Sequence, residues 1–168
     1  MTPLTGEPQA TAATDATLAP VRVLFLCGDN AARSQMAEAI LRVLGRLHFA
    51  AFSAGVTPAS VVDPHVLAVL KERDVPSDGL VPKSLQAFEG QSFDYVITLS
   101  DPAREQAPHF PGANVIHWSF VDPERSLEEH TDPHPFEHLF DGLTQRIRLL
   151  MIIVERGERE GWHVTNQD

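Results

Sequence analysis

Cys27 is the only cysteine in the chain, and Arg33 follows with five residues between them, in VRVLFLCGDNAARSQMAEAILRVLG. A thiol, a short loop, an arginine and a helix pattern, in that order, can hold a tetrahedral oxyanion and attack it with sulfur. Loop amides and the start of a helix offer N–H donors to anion oxygens. Arg33 offers a planar fork that binds two oxygens at once. Both are expected to lower the thiol's pKa from ~8.5 to below neutral values. The competing reading is a small buried hydrophobe, the usual fate of a lone cysteine. An arginine six positions on also arises by chance about once in twenty. Spacing alone decides little, so the surrounding elements must.

Val21 to Leu26 is an apolar run broken only by Arg22, and Cys27 lies where it ends. Ala37, Ile40, Leu41 and Leu44 then recur at helical spacing, and Gly45 stops the run. Open α/β sheets hold ligands at such strand-to-helix junctions, which favours the catalytic reading. Further strands are predicted over 48–53, 94–99 and 114–118, and helices over 34–44, 64–73 and 135–158. Shorter helical turns are predicted over 84–88 and 102–106. The alternation predicts a single α/β domain whose parallel sheet is covered by helices on both faces. In the last helix Phe136, Leu139, Phe140, Leu143, Ile147, Leu150, Met151 and Val154 fall on one stripe, which predicts core.

Composition narrows the partners. The 168 residues suffice for one domain with a real core. Hydrophobic content of 43% with 21% charge fits an ordinary soluble globular protein. A net charge of −10 argues against nucleic acid, which needs clustered Lys and Arg. It leaves an anionic substrate open, because the field inside one loop can oppose the global sign. No apolar run approaches the ~20 residues of a membrane span, and no secretory signal pattern is visible. One cysteine allows no internal disulfide and suits a reducing cytoplasm. Residues 1–19, rich in Thr, Ala and Pro, are expected to be a disordered tail. The domain is expected over 20–160, followed by a C-terminal tail over 161–168.

CGDNAARSQMAEA resembles the active-site loop of the low-molecular-weight protein tyrosine phosphatase superfamily. More narrowly, it resembles the arsenate reductases of that fold, whose loop is followed by the run seen here from Arg33 to Glu38. The likeness continues through FSAGVTP (Phe52 to Pro58), FDYVITLSD (Phe93 to Asp101), FPG (Phe110 to Gly112) and HWSFVDP (His117 to Pro123), and covers about residues 21 to 155. It implies a three-layer αβα domain with a four-stranded parallel sheet in the order 2-1-3-4. It implies reduction of arsenate to arsenite through a Cys27–arsenic adduct. Arg33 and the amides of Gly28, Asp29, Asn30, Ala31 and Ala32 would bind the oxyanion, and Asp122 would protonate the departing oxygen. Ser34 would support the thiolate, and Asn30 would prop the loop. Taken alone, Asn30 reads as a turn residue tolerating positive φ. Asp122 before Pro123 reads as a turn opener, and Asp101 before Pro102 as a helix N-cap.

The departures from the pattern carry information. Asp29 stands where the phosphatases have glycine, so its side chain is expected to point out of the cradle. Ala32 replaces a second loop cysteine found in many relatives. Ser100 and Ala107 stand where the disulfide-cascade reductases carry two further cysteines. The resemblance therefore implies a reductant from outside, a small-molecule thiol or a glutaredoxin- or thioredoxin-type partner, with no bound cofactor or metal. Phosphate monoester hydrolysis through a cysteinyl-phosphate is the alternative. Against it, Glu124 and Arg125 follow Pro123 where tyrosine phosphatases place aromatic residues, forfeiting ring contacts of ~1 kcal/mol per pair. A non-catalytic oxyanion-binding protein is a third reading, and it leaves Cys27 and Asp122 idle. Some relatives hold potassium behind the loop with residues matching Asn30, Glu38 and Ser53; Lys83 either places its ammonium there or is solvated. His130, His134 and His138 are expected to be solvated rather than metal ligands. A cytoplasmic monomer or weak dimer is expected.

Overall fold

A computed structural model describes residues 19–160. The predicted tails, Ala19 apart, lie outside these residues. β1 (Val21–Cys27) is buried on both faces over most of its length, which is why it reads as an unbroken apolar run. It is followed by α1 (Arg33–Gly45), β2 (Phe49–Gly55) and α2 (Pro64–Glu72). A short 3-10 turn (Leu85–Phe88) precedes β3 (Tyr95–Thr98), α3 (Asp101–Gln106) and β4 (Asn114–His117). Two helices close the fold, α4 (Pro123–Glu128) and α5 (Pro135–Glu160). All strand pairs are parallel, and the sheet order is β2-β1-β3-β4. The doubly covered parallel sheet in the order 2-1-3-4 is the expected one.

Strand periodicity divides the core into two layers. Val23, Phe25 and Cys27 of β1 and Ile97 of β3 face one side and pack with α1, α2 and α5. Leu24, Leu26 and Val96 face the other side, against Ala103 of α3 and the rings of Phe88, Phe93 and Phe110. Every stripe residue predicted in α5 is buried except Met151, which is half-buried. Among the described residues no helix is long and apolar enough to cross a membrane.

α1 ends at Gly45, as expected, and Arg46 beyond it takes positive φ, 46°. Gly45 is also a close-approach residue, because a Cβ there would lie 2.6 Å from Cβ of Phe49 at the start of β2. Two local expectations need correction. The sequence predicts no helix at α4, and Asp122-Pro123 taken alone reads as a turn opener. Those two residues are in fact a helix N-cap and its N1 proline. Asp101 is the first helical residue of α3 rather than its cap. Ser100 is the cap, its Oγ accepting from the Ala103 N–H at 3.3 Å.

Candidate active site

Backbone carbonyls shape the loop between β1 and α1. Those of Cys27, Gly28, Asp29 and Ala31 accept hydrogen bonds from the N–H groups of Val56 (3.2 Å), Thr57 (2.8 Å), Ala59 (2.8 Å) and Asp63 (2.9 Å). A planar trans peptide points its C=O and the following N–H in opposite directions. The amides of Gly28, Asp29, Asn30 and Ala32 therefore turn away from this anchoring segment. The Asn30 N–H donates to Cys27 Sγ at 3.2 Å. Only glycine allows β2 to end so close to the loop, since a Cβ on Gly55 would lie 2.8 Å from the Asn30 nitrogen and 2.9 Å from the Asp29 carbonyl carbon.

Asn30 carries the tightest curvature, with φ 53°, as its turn reading anticipates. It is fully buried, and its side chain satisfies three neighbours. Its Nδ2 donates to Ser34 Oγ at 2.8 Å. Its Oδ1 accepts from the Lys83 N–H at 2.8 Å and from Gln35 Nε2 at 3.0 Å. Gln35 also donates to the Val81 carbonyl at 2.8 Å. Gln35 was missed as a loop support, although it sits inside the matched Arg-Ser-Gln run.

Cys27 is 1% exposed, with Sγ 2.7 Å from Ser34 Oγ. Burial pushes the thiol above its ordinary pKa. Hydrogen bonds from Ser34 and the Asn30 amide pull it back, and the Asp29 charge adds to the rise. This corrects the expected lowering, because in this geometry desolvation outweighs the loop donors. The Arg33 fork is also turned aside. Its Nη1 donates to the carbonyls of Leu99 (3.1 Å) and Phe120 (3.0 Å), and its Nη2 lies 4.0 Å from Asp122 Oδ2.

Contrary to the expectation that it points out of the cradle, the Asp29 side chain turns back onto the loop. Its Oδ1 accepts from the Ala31 N–H at 3.1 Å and stands 3.8 Å from Cys27 Sγ. A short carboxylate after a tight turn satisfies an amide two residues on, and here that interaction outweighs solvation. Asp122 meets the loop from the far end of the sheet. It caps α4 by accepting from the Glu124 N–H at 3.1 Å, and its side chain remains 47% exposed beside Arg33. The helix-opening and site-facing readings of Asp122 are thus compatible. Asp101 stands apart, with its Oδ1 3.8 Å from Nε2 of His117.

Behind the loop lies a cation among buried acceptors. Lys83 Nζ donates to the Val81 carbonyl at 2.7 Å and to Ser53 Oγ at 3.4 Å, and lies 3.7 Å from Glu38 Oε2. Glu38 is 2% exposed and also pairs with Arg42 at 3.2 Å. Burial pushes the Glu38 carboxyl up and the Lys83 ammonium down, and each charge opposes the other's shift. Of the two readings of Lys83, the ammonium beside Glu38 and Ser53 is the one observed. Ser100 and Ala107 bracket α3 as its N-cap and C-cap. His130, His134 and His138 are exposed, and His138 pairs with Asp132 at 2.7 Å.

Two outcomes follow from this geometry. Lys83→Met leaves Glu38 buried with Arg42 as its remaining cation. It is expected to cost roughly 2–3 kcal/mol, below the ~3–5 kcal/mol of a wholly unpartnered buried charge, measured by urea unfolding. Potassium is expected to leave the melting temperature of the native chain unchanged relative to a bulky cation at equal ionic strength. Asp29→Gly removes a carboxylate beside the loop amides. Phosphate binding, measured by calorimetry, is expected to tighten about fivefold, the equivalent of ~1 kcal/mol of screened repulsion.

Comparison with known proteins agrees with this geometry. The glutaredoxin arsenate reductase of Synechocystis sp. is 30% identical over 109 residues, which cover 64% of this chain and 82% of that one. The arsenate reductase of Oceanobacillus iheyensis is 27% identical over 130 residues, covering 76% and 92%. The solved thioredoxin-dependent arsenate reductase of Corynebacterium glutamicum superposes with a TM-score of 0.69 at 30% identity, covering 84% of this chain and 66% of that one. Residues 22–160 match the family described as low molecular weight phosphotyrosine protein phosphatase. A match over that length, on a fold and loop of this geometry, makes the chain a member of that family.

Proposed function

We propose that this chain reduces arsenate to arsenite through Cys27, with the electrons supplied by a thiol from outside. One observation carries the reading: the only cysteine lies at the floor of the loop, within reach of Ser34 and the Asn30 amide. Positions 100 and 107, where a cascade would need further thiols, hold a helix-capping hydroxyl and an alanine. The arsenate reductases to which the chain is similar, two of them named for glutaredoxin and thioredoxin, support both the substrate and an external thiol as the reductant class.

Entry of the oxyanion exchanges the Asp29 carboxylate for arsenate oxygens at the loop amides, and swings the Arg33 fork onto two of them. The protonated thiol gives its proton to the arsenate dianion, leaving a thiolate held by Ser34 and Asn30. Sulfur bonds to arsenic while one As–O bond breaks, and the departing hydroxyl leaves as water with a proton from Asp122. Arsenic is still pentavalent in this adduct. An external thiolate then attacks the Cys27 sulfur. The S–As bonding pair stays on arsenic, which departs as trivalent arsenite, and a mixed disulfide forms. A second external thiolate releases Cys27. A reducing cytoplasm would maintain such a thiol supply.

Phosphate monoester hydrolysis would share the first displacement. The place of a ring-stacking wall after Pro123 is taken by the charged Glu124 and Arg125 on α4, which favours a small inorganic oxyanion. Incubation with arsenate and a panel of thiol donors, including a glutaredoxin and a thioredoxin, tests the choice. Thiol-dependent arsenite is expected from the native chain and none above background from Cys27→Ser. Arg33→Lys is expected to lose about 100-fold in kcat/KM, since an ammonium does not replace a bidentate fork. Release of phosphate from an aryl phosphate, with no arsenite from any donor, would make the chain a phosphatase. Tight arsenate binding with neither product would make it a binding protein.

A further inference from the structure

The Asp29 carboxylate lies among the donors that a bound oxyanion needs. Its Oδ1 accepts from the Ala31 N–H at 3.1 Å, and the Cys27 thiol is a second donor at 3.8 Å. In the reaction proposed above the substrate takes both, the amide for one of its oxygens and the thiol proton for another. Among the described residues no lysine or arginine pairs with Asp29. Its charge is therefore left facing the anion. An ionised carboxylate only accepts hydrogen bonds. Such a group repels an oxyanion that touches it unless the oxyanion itself carries a proton to share.

The backbone limits where that carboxylate can go. The Asp29 carbonyl accepts from the Ala59 N–H at 2.8 Å, so the main chain is pinned and only the side-chain torsions are free. A substrate oxygen that settles on the Ala31 N–H takes the place of Oδ1. The smallest movement that makes room is the width of one oxygen. It leaves Oδ1 against that same substrate oxygen, at the ~2.5–2.7 Å of a charge-assisted O–H···O bond. The contact is favourable when the substrate oxygen holds a proton and repulsive when it is bare.

We propose that Asp29 is a specificity-determining residue: it stays at the rim of the loop and accepts a hydrogen bond from a proton on the bound oxyanion. The site then takes anions that still hold a proton and rejects equally charged anions that hold none. The inference rests on the oxyanion-binding role given to the loop above. Inorganic arsenate and phosphate keep a proton near neutrality, even as dianions. Sulfate has none, and a phosphate monoester loses its last at about pH 6. Asp29 thus sorts tetrahedral anions of the same charge by whether a proton remains. It favours arsenate over phosphate esters independently of any wall beside Pro123, and it does not separate arsenate from inorganic phosphate.

Calorimetry at pH 8 tests this with phosphate, sulfate and methyl phosphate on the native chain, Asp29→Gly and Asp29→Asn. All three anions are mainly dianions there, so repulsion from Asp29 is common to them, and only phosphate carries a proton. The native chain is expected to bind phosphate more tightly than the other two. Asp29→Gly is expected to tighten phosphate about fivefold and the other two about 100-fold, a difference of about 20-fold, the size of one hydrogen bond to a charged group. The smaller gain for phosphate is the relieved repulsion less the hydrogen bond lost with it. Asp29→Asn keeps an acceptor for the turn, and its amide either accepts from a hydroxyl or donates to a bare oxygen. It is expected to discriminate no better than the glycine variant. An equal gain for all three anions in Asp29→Gly would overturn the inference and leave the carboxylate a plain repulsive charge, even with arsenite formed normally. A preference for phosphate retained in both variants would overturn it as well. No anion bound by any of the three proteins would overturn it together with the role of the loop. A preference that disappears with Asp29, in a chain that forms no arsenite, supports the inference and counts against the reductase reading instead.

Discussion

Everything at the site depends on four loop carbonyls being held from behind. If the N–H groups of the segment from Val56 to Asp63 did not donate to these carbonyls, the loop's own amides would have no reason to share a direction. Each such bond contributes only about 1 kcal/mol to stability. Their larger consequence is orientation. Donors fixed before the anion arrives need no reorganisation when charge develops on it. The requirement passes down the sequence to Gly55, where no Cβ fits, and to Asn30, which must hold left-handed backbone.

The electrostatics run against a reactive resting state. Burial keeps the Cys27 thiol up, Asp29 stands beside it, and the Arg33 fork is engaged with carbonyls at the end of β3 and beyond β4. An incoming dianion changes each of these terms. In the proposed reaction it would take the Ala31 amide from Asp29, offer the guanidinium a better partner, and accept the thiol proton. Substrate binding and nucleophile activation would then become one event. A thiolate formed only with the oxyanion present would also be shielded from stray oxidation.

Some of this was legible in the sequence, for physical reasons. β1 is buried on both faces and α5 on one, so the apolar run and the helical stripe stood out. Asn30 announced its left-handed turn because few residues tolerate one. What was not legible depends on contacts without a pattern. The anchoring bonds are backbone to backbone and leave no trace except Gly55. The direction of Asp29 is a rotamer choice, settled by one amide. Desolvation of Cys27 is a sum over the whole core, and the loop residues alone pointed to the opposite sign. α4 was hidden because Glu124, Arg125 and Glu128 outnumber its apolar residues, although Asp122-Pro123 is a sound helix start.

The most direct test asks whether one cysteine carries both the arsenic and the electrons. Turnover with arsenate and a competent thiol would be quenched in acid and the protein digested for mass spectrometry. A mixed disulfide between the donor thiol and the peptide holding Cys27, absent when arsenate is omitted, is the expected result. Arsenite accumulating while Cys27 stays unmodified throughout turnover would contradict it.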